Sequence, residues 1–140
     1  MKTLFSTESR KETMIWGLSI LMAGLFMVTG FNKLMGFEHY TSQFAAWGLP
    51  TWMILVVGLM EFGGGLCMLS PKLVGVGACL LGVDMAGAAI THMLHMEGMQ
   101  ALTTVVLMIL LSVAGYMRRE PLMEEIKEGR DFINHLLPHH

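Results

Sequence analysis

The stretch WMILVVGLMEFGGGLCMLSPKLVGVGACLLGVDMAGAAITHML, residues 52–94, decides the fold. Two apolar runs, residues 52–69 and 73–94, flank the short link Ser70-Pro71-Lys72. Each run is close to the ~20 residues that cross a ~30 Å hydrocarbon layer as helix. The link is too short for anything but a turn, so the two runs pair as an antiparallel hairpin. Working outward, a third run covers residues 14–31 and a fourth residues 101–117. A bilayer offers no water to unpaired backbone groups, and the alternating polarity of a barrel strand is absent, so all four runs are expected as helices. The fold class is therefore all-α, an integral membrane four-helix bundle. The first run is too long for a signal peptide and continues into Gly30-Phe31-Asn32-Lys33, so it is expected to remain in the mature chain.

Composition agrees. Of 140 residues, 54% are hydrophobic and 14% charged, and the mean hydropathy is +0.57, whereas about a quarter of an ordinary soluble domain is charged. A net charge of -2 supplies no basic field for phosphate backbones, which excludes nucleic acid as a partner. Cys67 and Cys79 sit in apolar surroundings without CxxC spacing, so they read as small packed residues rather than a disulfide, zinc or thiol redox motif.

The organisation has three parts: a cytoplasmic N-terminal segment 1–13, the membrane domain 14–117 and a charged tail 118–140. Lys2, Arg10, Lys11, Lys72, Arg118, Arg119, Lys127 and Arg130 fall on one side and Lys33 alone on the other, which predicts both termini in the cytoplasm. Ser9-x-x-Glu12 has the form of a capping box opening the first span. Between the first two spans Phe37, Tyr40, Phe44 and Trp47 recur at helical spacing before Gly48-Leu49-Pro50, which predicts a short outer interfacial helix. Trp16 and Tyr116 near the inner ends, and Tyr40, Trp47 and Trp52 near the outer ends, are expected as interfacial anchors. In the tail Leu122, Ile126, Ile133 and Leu137 share one helical face, which predicts an amphipathic cytoplasmic helix on the membrane surface. The terminal His139-His140 has no ligand partners at a recognised spacing.

Two ionisable residues fall near mid-membrane, Glu61 in the second span and Asp84 in the third. Each costs about 2.5 to 3.5 kcal/mol there even on mild insertion scales, and each is too deep to snorkel. Such carboxyls are expected to hold a proton or a cationic partner, which suits a proton-exchanging site. At 100° per residue Asp84, Ala88, Thr91 and His95 share a face of the third span, with His92 about 80° from Asp84. His92 and His95 then approach the outer surface beside Asn32, Lys33 and His39. The expectation is an outward-open funnel with His and Lys at its mouth and the two carboxylates at its floor. A structural polar network that fixes helix register is the competing reading.

The small residues around Glu61 and Asp84 favour close helix approach, with a flat ligand slot as the alternative. His92, His95 and Met96, in a chain of 15 methionines, also make a soft ligand set that suits copper, while Met as apolar filler is the simpler account. Haem ligation across the bundle wants a His on a second span, which the sequence lacks.

Gly30-Phe31-Asn32-Lys33-Leu34, Gly48-Leu49-Pro50, Gly58-Leu59-Met60-Glu61-Phe62-Gly63-Gly64 and Thr91-His92, in this order, resemble the DoxX and DoxX-like membrane proteins over about residues 14–117. The resemblance implies four-helix subunits of the bacterial inner membrane associated with quinone-linked oxidoreductases, and it points to Lys33, Glu61 and His92 as the recurring polar positions. The sequence therefore leads to a redox-associated membrane subunit that binds a quinone or similar lipid-soluble molecule. Glu61, Asp84 and His92 are its candidate catalytic residues, and Asn32, Lys33, Glu61, His92 and His95 its candidate binding residues. A soluble or membrane redox partner would supply the missing chemistry, and the chain could self-associate. The alternatives are a non-catalytic assembly subunit and a copper-handling membrane protein.

Overall fold

The computed structural model describes residues 2–137 as six helices in the order α1 (Lys2–Leu34), α2 (Glu38–Ala46), α3 (Trp52–Leu69), α4 (Val74–Leu94), α5 (Gly98–Met117) and α6 (Arg119–Leu136). Four of them contain segments long and apolar enough to cross a membrane: Ser9–Leu34, Trp52–Leu69, Val74–Leu94 and Gly98–Met117. The all-helical membrane bundle is thus as the sequence predicts, and α2 is the short helix between the first two spans. The first span differs at its start. No cap forms at Ser9; helix α1 runs straight through it, and Thr13 donates to the Ser9 carbonyl at 2.8 Å. The charged residues 8–12 are ordinary helix formers, so nothing in them stops a helix that is already under way.

Within the bundle α1 packs on α3, α3 on α4 and α4 on α5, while α1 and α5 touch only sparingly. Glycine sets the two inner contacts. A Cβ on Gly30 would lie 2.8 Å from the Gly58 carbonyl oxygen of α3, and one on Gly77 would lie 2.7 Å from the Gly64 carbonyl oxygen. In lipid there is little hydrophobic drive between helices, so close backbone approach and dispersion contacts hold the pairs together. Below these contacts, toward the end of the bundle that carries both termini, Met22, Phe26, Met68, Leu81 and Leu111 fill a solid core.

At the opposite end, the one roofed by α2, three helices stop in the same way. At the ends of α1 and α2 the left-handed residue is Gly36 or Gly48, each with φ 69°, and the next amide reaches back, Phe37 to the Asn32 carbonyl and Leu49 to the Phe44 carbonyl. At the end of α4 the same position is held by Met96, φ 61°. There the Met96 amide donates to Met93 and the Glu97 amide to His92 at 2.9 Å. This cap turns Glu97 back over the last turn of α4.

Helix α6 follows α5 after the single residue Arg118, whose guanidinium lies 3.6 Å from the centre of the Trp16 ring and ties the end of α5 to α1. Ile126, Ile133 and Leu137 on its apolar face are exposed. The side chain of Leu122 and the pair His139-His140 lie outside the described residues.

Candidate functional site

The half of the bundle nearest α2 is hollow. A cavity of about 690 Å³ opens there, with walls from α1, α3, α4 and α5 and a roof from α2. Its walls are mainly apolar, and its polar groups include Lys33, Glu61, Asp84, His92, Tyr40, Gln43, Gln100 and four threonines.

On the floor, Lys33 Nζ donates to Glu61 Oε2 at 2.6 Å, and both residues are buried. The sequence pattern places Lys33 at the mouth of a funnel; its position is deeper. Gly30 lets the backbones of α1 and α3 meet one turn below Lys33, so the four-carbon stem turns inward and the ammonium pairs with Glu61 instead of reaching for water. The ammonium also lies 4.7 Å from the centre of the Tyr40 ring, which covers it from α2. Across the cavity Asp84 is 8% exposed, and its Oδ2 is buried without a hydrogen-bond partner. Glu61 and Asp84 thus line one cavity, with the single lysine there paired to Glu61.

The upper wall is a clasp between α2 and the α4–α5 corner. His92 Nδ1 meets Glu97 Oε2 at 2.6 Å, and Trp47 Nε1 donates to Glu97 Oε1 at 3.3 Å. The Trp47 ring stands edge-on to the His92 ring, with centroids 5.0 Å apart. A carboxylate partner places a proton on Nδ1 and leaves Nε2 for the cavity. The His92 hydrogen bond, helped by that from Trp47, holds the Glu97 carboxyl below its ordinary value against a smaller opposing effect of burial. Trp47, expected as a lipid anchor, therefore faces inward, while Trp52 and Tyr116 remain exposed.

Two of the predicted binding residues lie elsewhere. Asn32 is one position round the helix from Lys33 and does not line the cavity; its carbonyl serves the cap of α1. His95 does not line it either, because α4 ends at Leu94 and the helical periodicity that put His95 beside Asp84 ends with it. Its Nδ1 donates to the Thr91 carbonyl at 2.8 Å, and its ring packs against Trp47 at 5.9 Å between centroids. The cavity-facing stripe of α4 is Asp84, Ala88, Thr91 and His92. Met96 is 91% exposed, and among the described residues no three His, Cys, Asp or Glu side chains cluster as a metal site. Sequence reasoning missed Glu97 and the inward role of Trp47. The signal for Glu97 is a carboxylate five residues after His92, just past the end of the helix.

Comparison with known proteins agrees with this architecture. The family described as "DoxX-like family" matches residues 17–115. The inner membrane protein YqjF of Escherichia coli strain K12 is 34% identical over 84 residues, which are 59% of this chain and 65% of that protein. The matched part thus falls just short of two thirds of the relative's length. No solved structure matches.

Proposed function

This chain belongs to the DoxX-like family of membrane proteins, and from that premise we propose that its bundle binds a quinone or similar lipid-soluble molecule as a redox-associated subunit of the inner membrane. The observation that carries the reading is the cavity itself: an apolar slot of about 690 Å³ whose floor holds the Lys33–Glu61 pair and the unpartnered Asp84. Pockets of about 300 to 1,000 Å³ with a few convergent polar groups suit small ligands, and apolar walls suit one that arrives through lipid.

The roles follow from the geometry. His92 turns Nε2 to the ligand, because Nδ1 is committed to Glu97: as neutral imidazole it accepts from a hydroquinone hydroxyl, and as imidazolium it donates to a quinone oxygen. Asp84, with no cation bonded to it, exchanges the proton that accompanies reduction, while Glu61 is held by Lys33 and sets the charge of the floor. Interconversion of quinone and hydroquinone moves two electrons and two protons; the electrons pass to or from a partner redox protein, and the chain handles protons and position. The charge distribution of the loops supports an orientation with both termini in the cytoplasm and the α2 end facing out. The exposed apolar face of α6 is then available to the membrane surface or to the partner.

Titration of the detergent-solubilised protein with a short-chain benzoquinone, followed by quenching of Trp47 fluorescence, tests this reading. Glu61→Gln and His92→Ala should each weaken binding at least about tenfold, the loss of one or two hydrogen bonds to charged groups. Unchanged binding in both variants would overturn these roles.

A further inference from the structure

The cavity reaches the outside of the bundle along the seam between α3 and α4. On α3, Gly58 and Gly65 mark the side that packs on α1, because a Cβ on either would press on Gly30 and Leu34 or on Ala23 and Met27. At 100° per residue they lie about 60° and 40° to one side of Glu61, whereas Met60 and Val56 lie about 100° and 140° to the other. On α4, Ala78 marks the side that packs on α5, since a Cβ on Gly115 would lie 2.8 Å from its own. Ala78 stands about 120° to one side of Asp84, and Gly87 and Val83 about 60° and 100° to the other. These four residues on the outer edges of α3 and α4 all line the cavity. Val56 is 44% exposed and Val83 67%, and a Cβ on Gly87 would meet nothing within 4 Å. The two helices press together at Gly64 and Gly77, and nearer α2 the cavity lies between them, with Glu61 and the buried, unpartnered Asp84 behind an open slit.

The slit lies at the depth of the hydrocarbon. Met60 and Val83 are at the middle of their spans, and Val56, Met60, Val83 and Gly87 offer no polar side chain. The seam between α1 and α5 has another character. The cavity also reaches its edges, at Leu25, Thr29, Met99 and Thr103, but two of these carry hydroxyls, and Met99 and Thr103 stand in the first two turns of α5, at the α2 end of the bundle.

We infer that the slit between α3 and α4 is a subsite for an aliphatic tail on the ligand, which leaves the cavity past Met60 and Gly87 into the hydrocarbon of the bilayer while the headgroup stays beside Asp84 and Glu61. The inference rests on the reading of a lipid-soluble ligand above and adds where its chain runs. A chain in this slit meets only apolar side chains and ends among acyl chains, so no polar group of the protein loses a partner to it. Through the other mouth it would lie against threonines and emerge near the membrane surface. Gly87 keeps the slit open by having no side chain to put into it.

The test is calorimetric titration of the full-length protein in mild detergent with a dimethoxy-methyl-benzoquinone that bears a decyl tail and with the same ring without the tail. Gly87→Leu fills the slit from a position where a Cβ has open space, and leucine is the better helix former. The ratio of the affinity for the tailed compound to that for the tailless one should fall at least about tenfold, as expected when a fitted site is overpacked. Val83→Phe narrows the slit from its outer edge and should lower the ratio in the same direction, so it gives a reading even if Gly87→Leu does not fold. An unaltered ratio in both variants would overturn the subsite and leave the quinone-class reading standing. A fall in Thr103→Leu instead would place the tail in the other mouth and overturn it as well. If neither compound binds the wild type, the quinone-class reading falls and the subsite with it.

Discussion

The same four spans build a solid half and a hollow half. Toward the termini, Gly64 and Gly77 press α3 and α4 together, and Met22, Phe26, Met68, Leu81 and Leu111 pack into one buried cluster between the helices. Toward α2, the same helices diverge around a cavity of about 690 Å³. The border is narrow: Glu61 on the cavity floor is three residues before Gly64 in the solid half. The difference teaches that small residues close a membrane bundle by letting backbones meet, while a hollow needs polar groups that hold one another and a roof that covers them. Here the Lys33–Glu61 pair supplies the first and the Trp47–Glu97–His92 clasp the second.

The largest effect should come from breaking the floor. Lys33→Met leaves Glu61 buried without its cation and should cost about 3 to 5 kcal/mol in reversible unfolding in detergent and denaturant. The double variant Lys33→Met with Glu61→Leu should recover most of that, since an apolar pair of similar volume is often neutral. No recovery would show that the pair does more than neutralise charge.

Next, Gly77→Ala attacks the solid half. The new Cβ would meet the Gly64 carbonyl oxygen at 2.7 Å, and the backbone there has little room to yield. A loss of about 1 to 3 kcal/mol in the same assay is expected, whereas Gly87→Ala, with open space around its Cβ position, should change little.

Smaller and of opposite sign, Met96→Gly relieves a left-handed residue at the end of α4 and should stabilise the chain by about 1 kcal/mol. An unchanged unfolding midpoint would mean that the side chain of Met96 repays the backbone strain.

The clasp should give the mildest effect, read through pH. The folded-state carboxyl of Glu97 is depressed, so its contribution is complete above the ordinary value of 4.5 and is lost as pH falls through the lower folded value. Trp47 emission should therefore be constant near neutrality and change in acid, and Glu97→Gln should abolish the acid transition. A transition that persists in Glu97→Gln would assign it to another group.

Much of this was legible in the sequence because membrane helices leave a strong trace. The four apolar runs gave the bundle, and the aromatic spacing from Phe37 to Trp47 gave α2. Single ionisable residues in long apolar runs singled out Glu61 and Asp84; that both line one cavity depends on how α3 and α4 are rotated against each other, which no single-span pattern encodes. What escaped depends on where helices end and how closely they pack. His95 was placed by a periodicity that stops one residue before it. Glu97 enters the site through a helix cap whose usual mark, a glycine, is replaced by Met96. The inward turn of Lys33 follows from the approach of α1 to α3 at Gly30 and Gly58, which no local pattern encodes.

The central claim is that the hollow half exists to hold a lipid-soluble ligand of the quinone class. Native mass spectrometry of the protein released from its own membranes into mild detergent tests it most directly, with wild type and His92→Ala side by side. The account predicts one bound quinone-class molecule per chain in the wild type, lost in His92→Ala. A wild-type chain that carries no such molecule, or a ligand retained equally by both proteins, would contradict it.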